Sequence, residues 1–576
     1  MKPLRFMLAF PKGRETGSAL LRVAEPQQVL GDAPAIWTDP TTPCLGLNDA
    51  GMLIGVAFSR ETYEPLSPED VRLSADASAT LVANFLVRNV WGGYLAVIYE
   101  EASEAWYLLR DPSFLCPAYR LTLFDHFVIA SDAAMLLHLP GYRPTIAYPS
   151  LARRLLDIQT RSRQTCLEDL TELAPGALQA LDDPHDRGPA IWHPRNHYPK
   201  GPAPRFEDAA EELRWLCVSA MTSWSRLCGK VSVATSGGVD SSLVCAALSR
   251  ADRDFACVTL ATADPSGDER RYAREVAARS GVPLSERILR PGAFDPARTA
   301  SAGMASPTRR SFLTVLDAVL SEEMEALEAR LVFDGNGGDN LFCFLHSAAP
   351  IVDRWRAEGT SRQIVETLLD MCRVTGCSVP TMLRAAASRA IGASRGRARR
   401  YDRRFVAAGI AMDRGELLAS WFDGANGSRT GKHDHLALLV SAANQIHGLT
   451  EGPPRFSPLS SQPLVEFCLG IPTWLWVEGG INRSLARAAF AEEIPASIRS
   501  RTSKAGPDSF VREAFALHKD AIRDRLLGGH LSEQGLLDLT SIEVSLKIDY
   551  TTSEEAHFDR LLDLLEIENW CRSWIN

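Results

Sequence analysis

The stretch VSVATSGGVDSS, residues 231–242, restricts the fold more than any other part of the chain. Its valines favour a strand, and no residue larger than threonine follows them until the turn is passed. Gly237 and Gly238 allow backbone angles that residues with a side chain adopt only at a steric cost. A helical pattern then starts near Asp240, and the N–H groups of a first helical turn have no acceptor within the helix. The stretch predicts a strand–loop–helix unit whose loop attracts anions.

The polar residues of this loop separate two interpretations. An ordinary strand–turn–helix would need the glycines alone. Here the mouth of the loop also carries hydroxyl groups and one carboxylate, from Ser236, Asp240, Ser241 and Ser242. We therefore interpret the loop as a phosphate-binding site.

Length, composition and net charge restrict the class of protein in which such a loop occurs. A chain of 576 residues predicts two or three domains. Its hydrophobic fraction of 45% and charged fraction of 23% are typical of a soluble globular protein. The net charge of −9 gives no basis for nucleic-acid binding through bulk electrostatics. No apolar run suggests a membrane span and the first residues do not resemble a signal peptide, so we expect a cytoplasmic protein.

Cysteine and histidine patterns give little support for a structural metal. The twelve cysteines contain no CxxC pair, and they predict buried, reduced thiols. His433 and His435 are spaced so that both could bind a metal, but neither a cysteine pair nor an HExxH motif accompanies them. We favour structural roles for both histidines.

The chain divides into two zones of different pattern. Residues 1–195 hold short β-like runs separated by turn residues, which predicts an antiparallel, sheet-dominated domain. Proline and polar residues are concentrated in 192–208, and we place a linker at 196–208. Strands and helices alternate in 209–576, as in a parallel sheet with helices on its faces. Beyond about residue 345 the pattern is mostly helical. The sequence thus predicts an α/β protein.

Two common nucleotide-binding motifs do not fit. The chain lacks the GxxxxGK[ST] pattern of the common NTPase loop. The stretch DGNGGDN, 334–340, fails the dinucleotide fingerprint because Asn340 stands at its sixth position in place of glycine. Instead, Ser236 to Ser241 resembles the SGGxDS loop of the ATP-pyrophosphatase superfamily. That resemblance implies ATP as the nucleotide, cut between its α and β phosphates, with Asp240 binding Mg²⁺.

Three further stretches narrow the resemblance, at 264–277, 331–342 and 463–508. They occur in the order seen in asparagine synthetase-like enzymes, and the N-terminal zone with Arg110-Asp111 resembles the glutaminase half of those enzymes. The resemblance implies a glutaminase-like antiparallel β-sandwich in front of a parallel-sheet synthetase domain of the adenine-nucleotide hydrolase type, with a helical C-terminal part.

The same resemblance assigns roles to individual residues. Asp339 is the implied second ligand of Mg²⁺, beside Asp240. Lys504 is the implied lysine that stabilises charge as pyrophosphate leaves, where a solvated surface lysine is the alternative. The implied nucleotide-binding set is Thr235, Ser236, Gly237, Gly238, Asp240, Ser241, Ser242, Leu260 and Gly335.

Two departures from the family pattern indicate the reaction. A working glutaminase of this family needs a cysteine directly after the initiator methionine, and position 2 is Lys2. We therefore expect the glutaminase-like domain to be inactive. Asn336, which we count with Lys504 as a candidate catalytic residue, stands where asparagine synthetases carry a glutamate that is thought to help handle ammonia. Both changes remove ammonia chemistry and leave the adenylating residues, so we expect a nucleophile other than ammonia.

Stretches around 337–355 and 457–483 resemble the lasso peptide macrolactam synthetases, also called lasso cyclases. That resemblance implies adenylation of an Asp or Glu side chain in a precursor peptide, followed by attack of the peptide N-terminal amine. A precursor peptide and a leader peptidase are the implied partners. The alternatives that stay open are a small-molecule amide or β-lactam synthetase, an ammonia-dependent asparagine synthetase, and a non-catalytic scaffold that retains the fold.

The basic run RAIGASRGRARRYDRR, 389–404, has two interpretations. It is either a solvated insertion or a docking patch for an acidic peptide or for the peptidase.

Overall fold

The computed structural model of the protein describes residues 4–12, 22–30, 33–74, 77–157, 161–183, 185–392, 401–410, 417–418, 430–443, 455–502, 506–548 and 557–575. Its strands are β1 (Phe6–Pro11), β2 (Arg22–Val23), β3 (Ala35–Thr38), β4 (Cys44–Gly46), β5 (Gly51–Ser59), β6 (Val90–Glu100), β7 (Ala105–Arg110), β8 (Tyr119–Leu123), β9 (His126–Ala130), β10 (Leu170–Glu172), β11 (Leu178–Ala180), β12 (Val231–Ala234), β13 (Phe255–Ala261), β14 (Leu284–Ile288), β15 (Val332–Phe333) and β16 (Arg455–Phe456).

Its helices are α1 (Ala79–Asn89), α2 (Tyr148–Leu156), α3 (Phe206–Cys228), α4 (Val239–Arg250), α5 (Arg270–Ser280), α6 (Leu313–Ala326), α7 (Gly338–Leu341), α8 (Ala349–Glu358), α9 (Arg362–Thr375), α10 (Val379–Ile391), α11 (Gly431–Ala443), α12 (Gln462–Gly470), α13 (Ser484–Ala489), α14 (Ala496–Arg499), α15 (Asp508–Leu517), α16 (Lys519–Leu527), α17 (His530–Glu533), α18 (Leu539–Leu546) and α19 (Phe558–Ile575). Among these described helices, none combines the length and apolar character that a membrane crossing requires.

The N-terminal strands form two sheets that pack face to face. The strand order is β10-β8-β9-β1-β3-β2 in one sheet and β11-β7-β6-β5-β4 in the other. Pairing is antiparallel apart from the parallel β2–β3 pair. Phe10 of β1 meets Trp106 of β7 between the sheets, with ring centroids 5.3 Å apart. The predicted antiparallel, sheet-dominated N-terminal region is confirmed.

Helices cover the outer faces of both sheets. On β6, Leu95 and Val97 point into the space between the sheets, while Tyr94 and Ala96 pack with α1 on the other side. Because both faces are covered, β6 is apolar without interruption from Val90 to Tyr99 and does not show the usual alternation. The sequence pattern therefore revealed the strand but not its covering helix.

The C-terminal half contains a parallel sheet, as predicted. Its strand order is β14-β13-β12-β15-β16, and every neighbouring pair is parallel. Helices α3, α4 and α5 contribute to the apolar cluster that contains Val233. On the opposite face, Leu320 of α6 packs against Val258 and Val332. Strand β16 lies beyond residue 345, in the part predicted to be mostly helical, and its two residues gave no strand pattern.

An aromatic cluster joins the two halves. Trp224 of α3 is fully buried, and its ring centroid lies 5.0 Å from that of Phe58 in β5 and 4.4 Å from that of Phe456 in β16. Its indole Nε1 donates to Ser461 Oγ at 3.0 Å. The sandwich and the parallel sheet therefore share one continuous core. Helix α3 begins at Phe206, inside the segment 196–208 that the sequence assigned to a linker.

All twelve cysteines are free thiols. Most are buried, but Cys44 and Cys377 are exposed, so the expectation of buried thiols fails at these two positions. Both stand in segments where side chains reach the surface.

Lys432 of α11 gives a pH-dependent contribution to stability. Its ammonium is buried and donates to the carbonyl of Cys468 at 3.2 Å, and burial lowers the pKa of Lys432 from 10.5 to about 8. Between these two pH values the unfolded chain holds a proton that the folded chain has lost, so the free energy of unfolding rises with pH. The rise amounts to at most about 3 kcal/mol.

We expect Lys432→Met to remove this rise. Chemical denaturation of wild type and variant across the interval measures the difference, with Lys547→Met, at an exposed position, as the control. A difference between wild type and Lys432→Met that stays constant with pH would contradict the assignment.

Candidate active site

The site lies where the order of the parallel sheet reverses. From β12 the chain moves outward to β13 and β14, and later returns on the other side of β12 as β15. Loops leaving the carboxyl ends of β12 and β15 therefore diverge and leave a crevice between them. The first loop holds Thr235 to Gly238, and the second holds Asp334 to Gly337. The two motifs singled out from the sequence thus meet at one edge of the sheet.

The first loop has the shape that its sequence predicts. Gly237 has φ +64°, in the left-handed region, and a Cβ there would lie 2.2 Å from Tyr272 Cβ. Helix α4 begins at Val239, one residue before the predicted start, and no side chain caps its N-terminus. Ser242 Oγ donates to the carbonyl of Gly238 at 2.8 Å, which closes the loop onto the helix. The start of α4 is thus left for an anion.

Thr235 anchors the first loop to the sheet beneath it. Thr235 is buried, and its N–H donates to the carbonyl of Val258 at 2.8 Å while its Oγ1 donates to Val233. Ser236 Oγ and Ser241 Oγ lie 3.4 Å apart across the loop. Leu260 is the penultimate residue of β13 and packs, half-buried, toward the α6 face. The side chain of Thr235 is therefore an anchor, and the loop presents backbone groups.

The second loop packs directly on the start of α4. A Cβ at Gly335 would lie 2.5 Å from the backbone nitrogen of Ser241, and a Cβ at Gly338 would lie 2.4 Å from Asp240 Cγ. Neither position has room for a side chain. These glycines bring Asp339, in the first turn of α7, to the same crevice as Asp240.

Arg483 joins the two aspartates. Its Nη1 donates to both carboxylate oxygens of Asp240 at 3.0 Å and also to Oδ1 of Asp339. The side chain of Asp240 is 8% exposed and that of Asp339 is 44% exposed. One cationic nitrogen therefore reaches carboxylates from residues far apart in the sequence.

The donor set fits Mg²⁺. Mg²⁺ is usually held by one or two carboxylates together with substrate phosphates. Asp240 and Asp339 supply the carboxylates beside the anion-binding loop, and the Arg483 guanidinium already stands as a cation between them. Among the described residues, no group of three or more histidine, cysteine, aspartate or glutamate side chains could hold a metal. A metal at this place would complete its coordination with phosphate and water.

Asn336 stands at the outer end of the second loop. Its N–H donates to Asp334 Oδ1 at 3.0 Å, and its carbonyl accepts from Ser457 Oγ at 2.6 Å. It borders a mostly apolar cavity of about 550 Å³, part of it open to solvent, with walls from Phe114 and Trp192 on one side and Leu341 on the other. An apolar space between the two halves thus ends beside the crevice.

A family comparison agrees with this geometry. The asparagine synthase family model matches residues 219–443 and 454–572, which is more than half of the chain and includes the crevice. The chain belongs to the asparagine synthase family. The activity that follows from membership is ATP-dependent formation of an amide bond. A search of curated proteins finds no match.

Lys504 of this family member lies outside the described residues, as does part of the basic run 389–404. Arg501 precedes Lys504 by three residues and is among the described residues. Arg501 donates from Nη1 to the carbonyl of Gly237 at 3.1 Å, pairs with Glu269, and places its guanidinium 3.9 Å from the Tyr272 ring centroid. Arg501 is therefore fixed to the anion-binding loop.

A second arginine holds the same segment. Arg487 donates to the carbonyls of Ile498, Arg499 and Arg501. Burial, with a smaller contribution from the Arg483 charge, lowers the pKa of Arg487 to about 10, so it stays charged at neutral pH. The two arginines define the path of the chain at the rim of the crevice.

In the N-terminal half, the carboxylate of Asp111 in the Arg110-Asp111 pair is not accessible to solvent. Both residues are fully buried. Asp111 accepts hydrogen bonds from the N–H groups of Ser113 and Cys116, and Arg110 pairs with Glu172 at 2.7 Å. These side chains serve the fold of the sandwich.

The two histidines considered as metal ligands have separate partners. His435 is buried and its Nε2 lies 2.9 Å from the carbonyl of Leu341, at the end of α7. Burial lowers the pKa of His435 well below its usual value, so the ring is neutral. His433 Nδ1 lies 2.8 Å from Thr430 Oγ1. His435 thus supports the helix that carries Asp339.

Sequence reasoning did not single out Arg483, Arg501, Glu269 or Arg487. The stretch 264–277 contains Glu269, and the stretch 463–508 contains Arg483, Arg487 and Arg501. The available signal was therefore a charged residue inside a motif-like segment. The contacts of Arg483 with Asp240 and of Arg501 with Gly237 span 243 and 264 residues, whereas Arg487 bonds carbonyls 11 to 14 residues farther along the chain. Local patterns do not carry that information.

Proposed function

We propose that this enzyme closes a macrolactam ring in a lasso peptide precursor. It adenylates an Asp or Glu side-chain carboxylate with ATP, and the peptide's own N-terminal amine displaces AMP. Pyrophosphate is the first product to form and the amide is the last. The observation that carries this proposal is the crevice in which Asp240 and Asp339 come together beside the anion-binding loop, in a chain that has Lys2 where a working glutaminase of this family needs a cysteine.

The residues of the crevice have distinct proposed roles. The loop from Ser236 to Ser242, with Thr235 beneath it, binds the phosphates, while Leu260 and Gly335 lie against the rest of the nucleotide. When bound by Asp240 and Asp339, Mg²⁺ supplies positive charge at the phosphates. Lys504 stabilises the negative charge that develops as pyrophosphate leaves. Arg501, from the same motif-like segment of the sequence, binds the carbonyl of Gly237, which supports this role.

A peptide amine can act without a strong base. An α-amino group has a pKa of about 7.7–8.0, so part of it is neutral at the pH of a cell. Holding the amine and the activated carboxylate in one folded peptide supplies a high effective concentration. Asn336 is not a base, and its proposed role is to border the space that the peptide occupies, beside the apolar cavity.

The domain division is part of the proposal. We assign 1–195 to a glutaminase-like domain without glutaminase activity, 196–208 to the linker and 209–576 to the synthetase domain. The start of the family match at residue 219 supports the last boundary. The proposed partner is a peptidase that releases the leader and exposes the amine.

A reconstitution tests the substrate class. Purified enzyme receives ATP, MgCl₂ and a linear peptide with a free N-terminal amine and an Asp or Glu at ring-closing distance, taken from a short open reading frame next to this gene. We expect a product lighter by one water, AMP as the nucleotide product, and resistance of the product to aminopeptidase. The N-acetylated peptide is the matched control and stays linear.

Other products would replace the proposal. Conversion of aspartate and ammonium to asparagine would identify an ammonia-dependent asparagine synthetase. An ATP-dependent amide from a small amino acid, without peptide, would identify a small-molecule or β-lactam synthetase. If labelled pyrophosphate does not exchange into ATP, the protein is a non-catalytic scaffold that retains the fold.

We expect no hydrolysis of glutamine. Position 2 is Lys2, where the resemblance requires the nucleophilic cysteine, so the thiol that would attack the glutamine amide is missing. Incubation with glutamine, followed by a glutamate assay, measures this activity directly. Release of glutamate above the enzyme-free rate would contradict our interpretation of the N-terminal half.

A further inference from the structure

Arg483 occupies the position of a cation between Asp240 and Asp339. Its Nη1 is 3.0 Å from both oxygens of Asp240 and also bonds Asp339. Its side chain is only 12% exposed, so the charges meet with limited screening by water. A positive group in such a place reduces the repulsion between two carboxylates.

The backbone and neighbours of Arg483 hold it in this position. Arg483 has φ 55° and ψ 32°, a left-handed conformation that is costly for a residue other than glycine and that clusters at functional sites. Its Nε donates to Asn482 Oδ1 at 3.1 Å, and Arg487 donates to the carbonyl of Asn482 at 2.8 Å. Its guanidinium lies 5.2 Å from the ring centroid of Phe344. The arginine is therefore placed by a defined scaffold and is not a loose surface side chain.

Arg483 and a divalent cation compete for the same oxygens. Mg²⁺ binds oxygen at about 2.0–2.1 Å, closer than a guanidinium approaches. The two cations would repel each other if both contacted Asp240 and Asp339. A displaced guanidinium next to the loop has phosphate as its preferred partner, because its fork matches phosphate geometry.

We infer that Arg483 is an exchangeable counter-ion of the nucleotide site. It offsets part of the negative charge of Asp240 and Asp339 in the metal-free protein, yields them to Mg²⁺ when the metal nucleotide enters, and then binds the phosphates. This inference rests on the metal-binding role proposed above for the two aspartates. It predicts that the metal-free site resists divalent cations in the absence of nucleotide.

A metal titration without nucleotide tests the exchange. Mn²⁺, a probe with similar oxygen ligands, is titrated into wild type and Arg483→Met while the signal of free Mn²⁺ is followed by electron paramagnetic resonance. We expect at least about tenfold tighter binding in the variant, since charge-assisted hydrogen bonds no longer compete. Arg499→Met, at an exposed arginine near the crevice, is the matched control and binds Mn²⁺ as wild type does. Equal or weaker binding in Arg483→Met overturns the inference.

Two further variants keep the test specific. The double variant Asp240→Asn, Arg483→Met must lose the gain, and a gain that persists without Asp240 also overturns the inference. Arg483→Lys retains a charge that cannot span both carboxylates in the same way, and its affinity should fall between those of wild type and Arg483→Met.

A melting experiment covers the case in which Arg483→Met folds poorly. Without metal the variant should melt below wild type, since it leaves the carboxylates uncompensated, and MgCl₂ should raise its melting temperature more than that of wild type. Equal shifts in both proteins would contradict the exchange. Neither experiment uses a peptide, so their results do not depend on ring closure. If Arg483→Met binds Mn²⁺ more tightly but the reconstitution with a linear peptide yields no ring, the proposed function is refuted and the inferred role of Arg483 stands.

Discussion

Asp240→Asn should reduce ATP-dependent AMP formation by at least about 10²-fold, since loss of a metal ligand removes several kcal/mol of transition-state stabilisation. The substitution keeps the shape of the side chain and removes its charge. Asp339→Asn should have an effect of the same order, because both carboxylates lie within reach of one cationic nitrogen. Quantifying AMP by chromatography at saturating ATP measures the loss.

The control for these variants is Asp252→Asn, at an exposed aspartate shortly after α4. It changes the net charge by the same amount and should retain the wild-type rate. Turnover close to wild type in either Asp240→Asn or Asp339→Asn would remove the two-aspartate arrangement from the account, provided that the variant melts as a folded protein.

Lys504→Met should lower turnover by about 10²-fold or more, the order found for a deleted preorganised donor. Methionine keeps much of the bulk of the stem and removes the charge that stabilises departing pyrophosphate. Because the charge acts more strongly in the transition state than in the ground state, ATP affinity should change far less than turnover. Arginine should not restore full activity, since its planar fork differs from a compact ammonium.

Single-turnover rates and ATP binding, measured separately, decide the role of Lys504. Lys547→Met removes an exposed lysine elsewhere and serves as the control. If ATP affinity collapses in Lys504→Met while single-turnover chemistry survives, Lys504 is a binding residue and the proposed catalytic role is wrong.

Local chemistry explains which parts of the fold the sequence could predict. The strand before Gly237 and the helix after it follow from β-propensity, glycine and helical periodicity within a dozen residues. The parallel sheet follows from the alternation of strands and helices, because parallel strands need a crossover connection. Strand β16, with only Arg455 and Phe456, is formed by pairing with β15 and carries no pattern of its own.

The candidate site divides in the same way. Asp240 and Asp339 were singled out because the short motifs that contain them resemble those of asparagine synthetase-like enzymes, and the structure shows that glycines in these motifs permit close packing. Arg483 was missed because its sequence neighbours say nothing about the carboxylates it meets, and the meeting depends on the whole fold. Asp111 was noted only as part of the Arg110-Asp111 pair, and the structure adds that N–H groups two and five residues farther along the chain bind its oxygens.

In the proposed reaction, a peptide carboxylate is adenylated and then attacked by an amine of the same peptide. Isotopically heavy oxygen placed in the side-chain carboxylate of the linear peptide tests it most directly. An acyl-adenylate transfers one carboxylate oxygen to the phosphate of AMP, so mass spectrometry should find one heavy oxygen in AMP and one in the macrolactam. Heavy oxygen in inorganic phosphate, accompanied by ADP, or AMP that carries no label, would contradict the account.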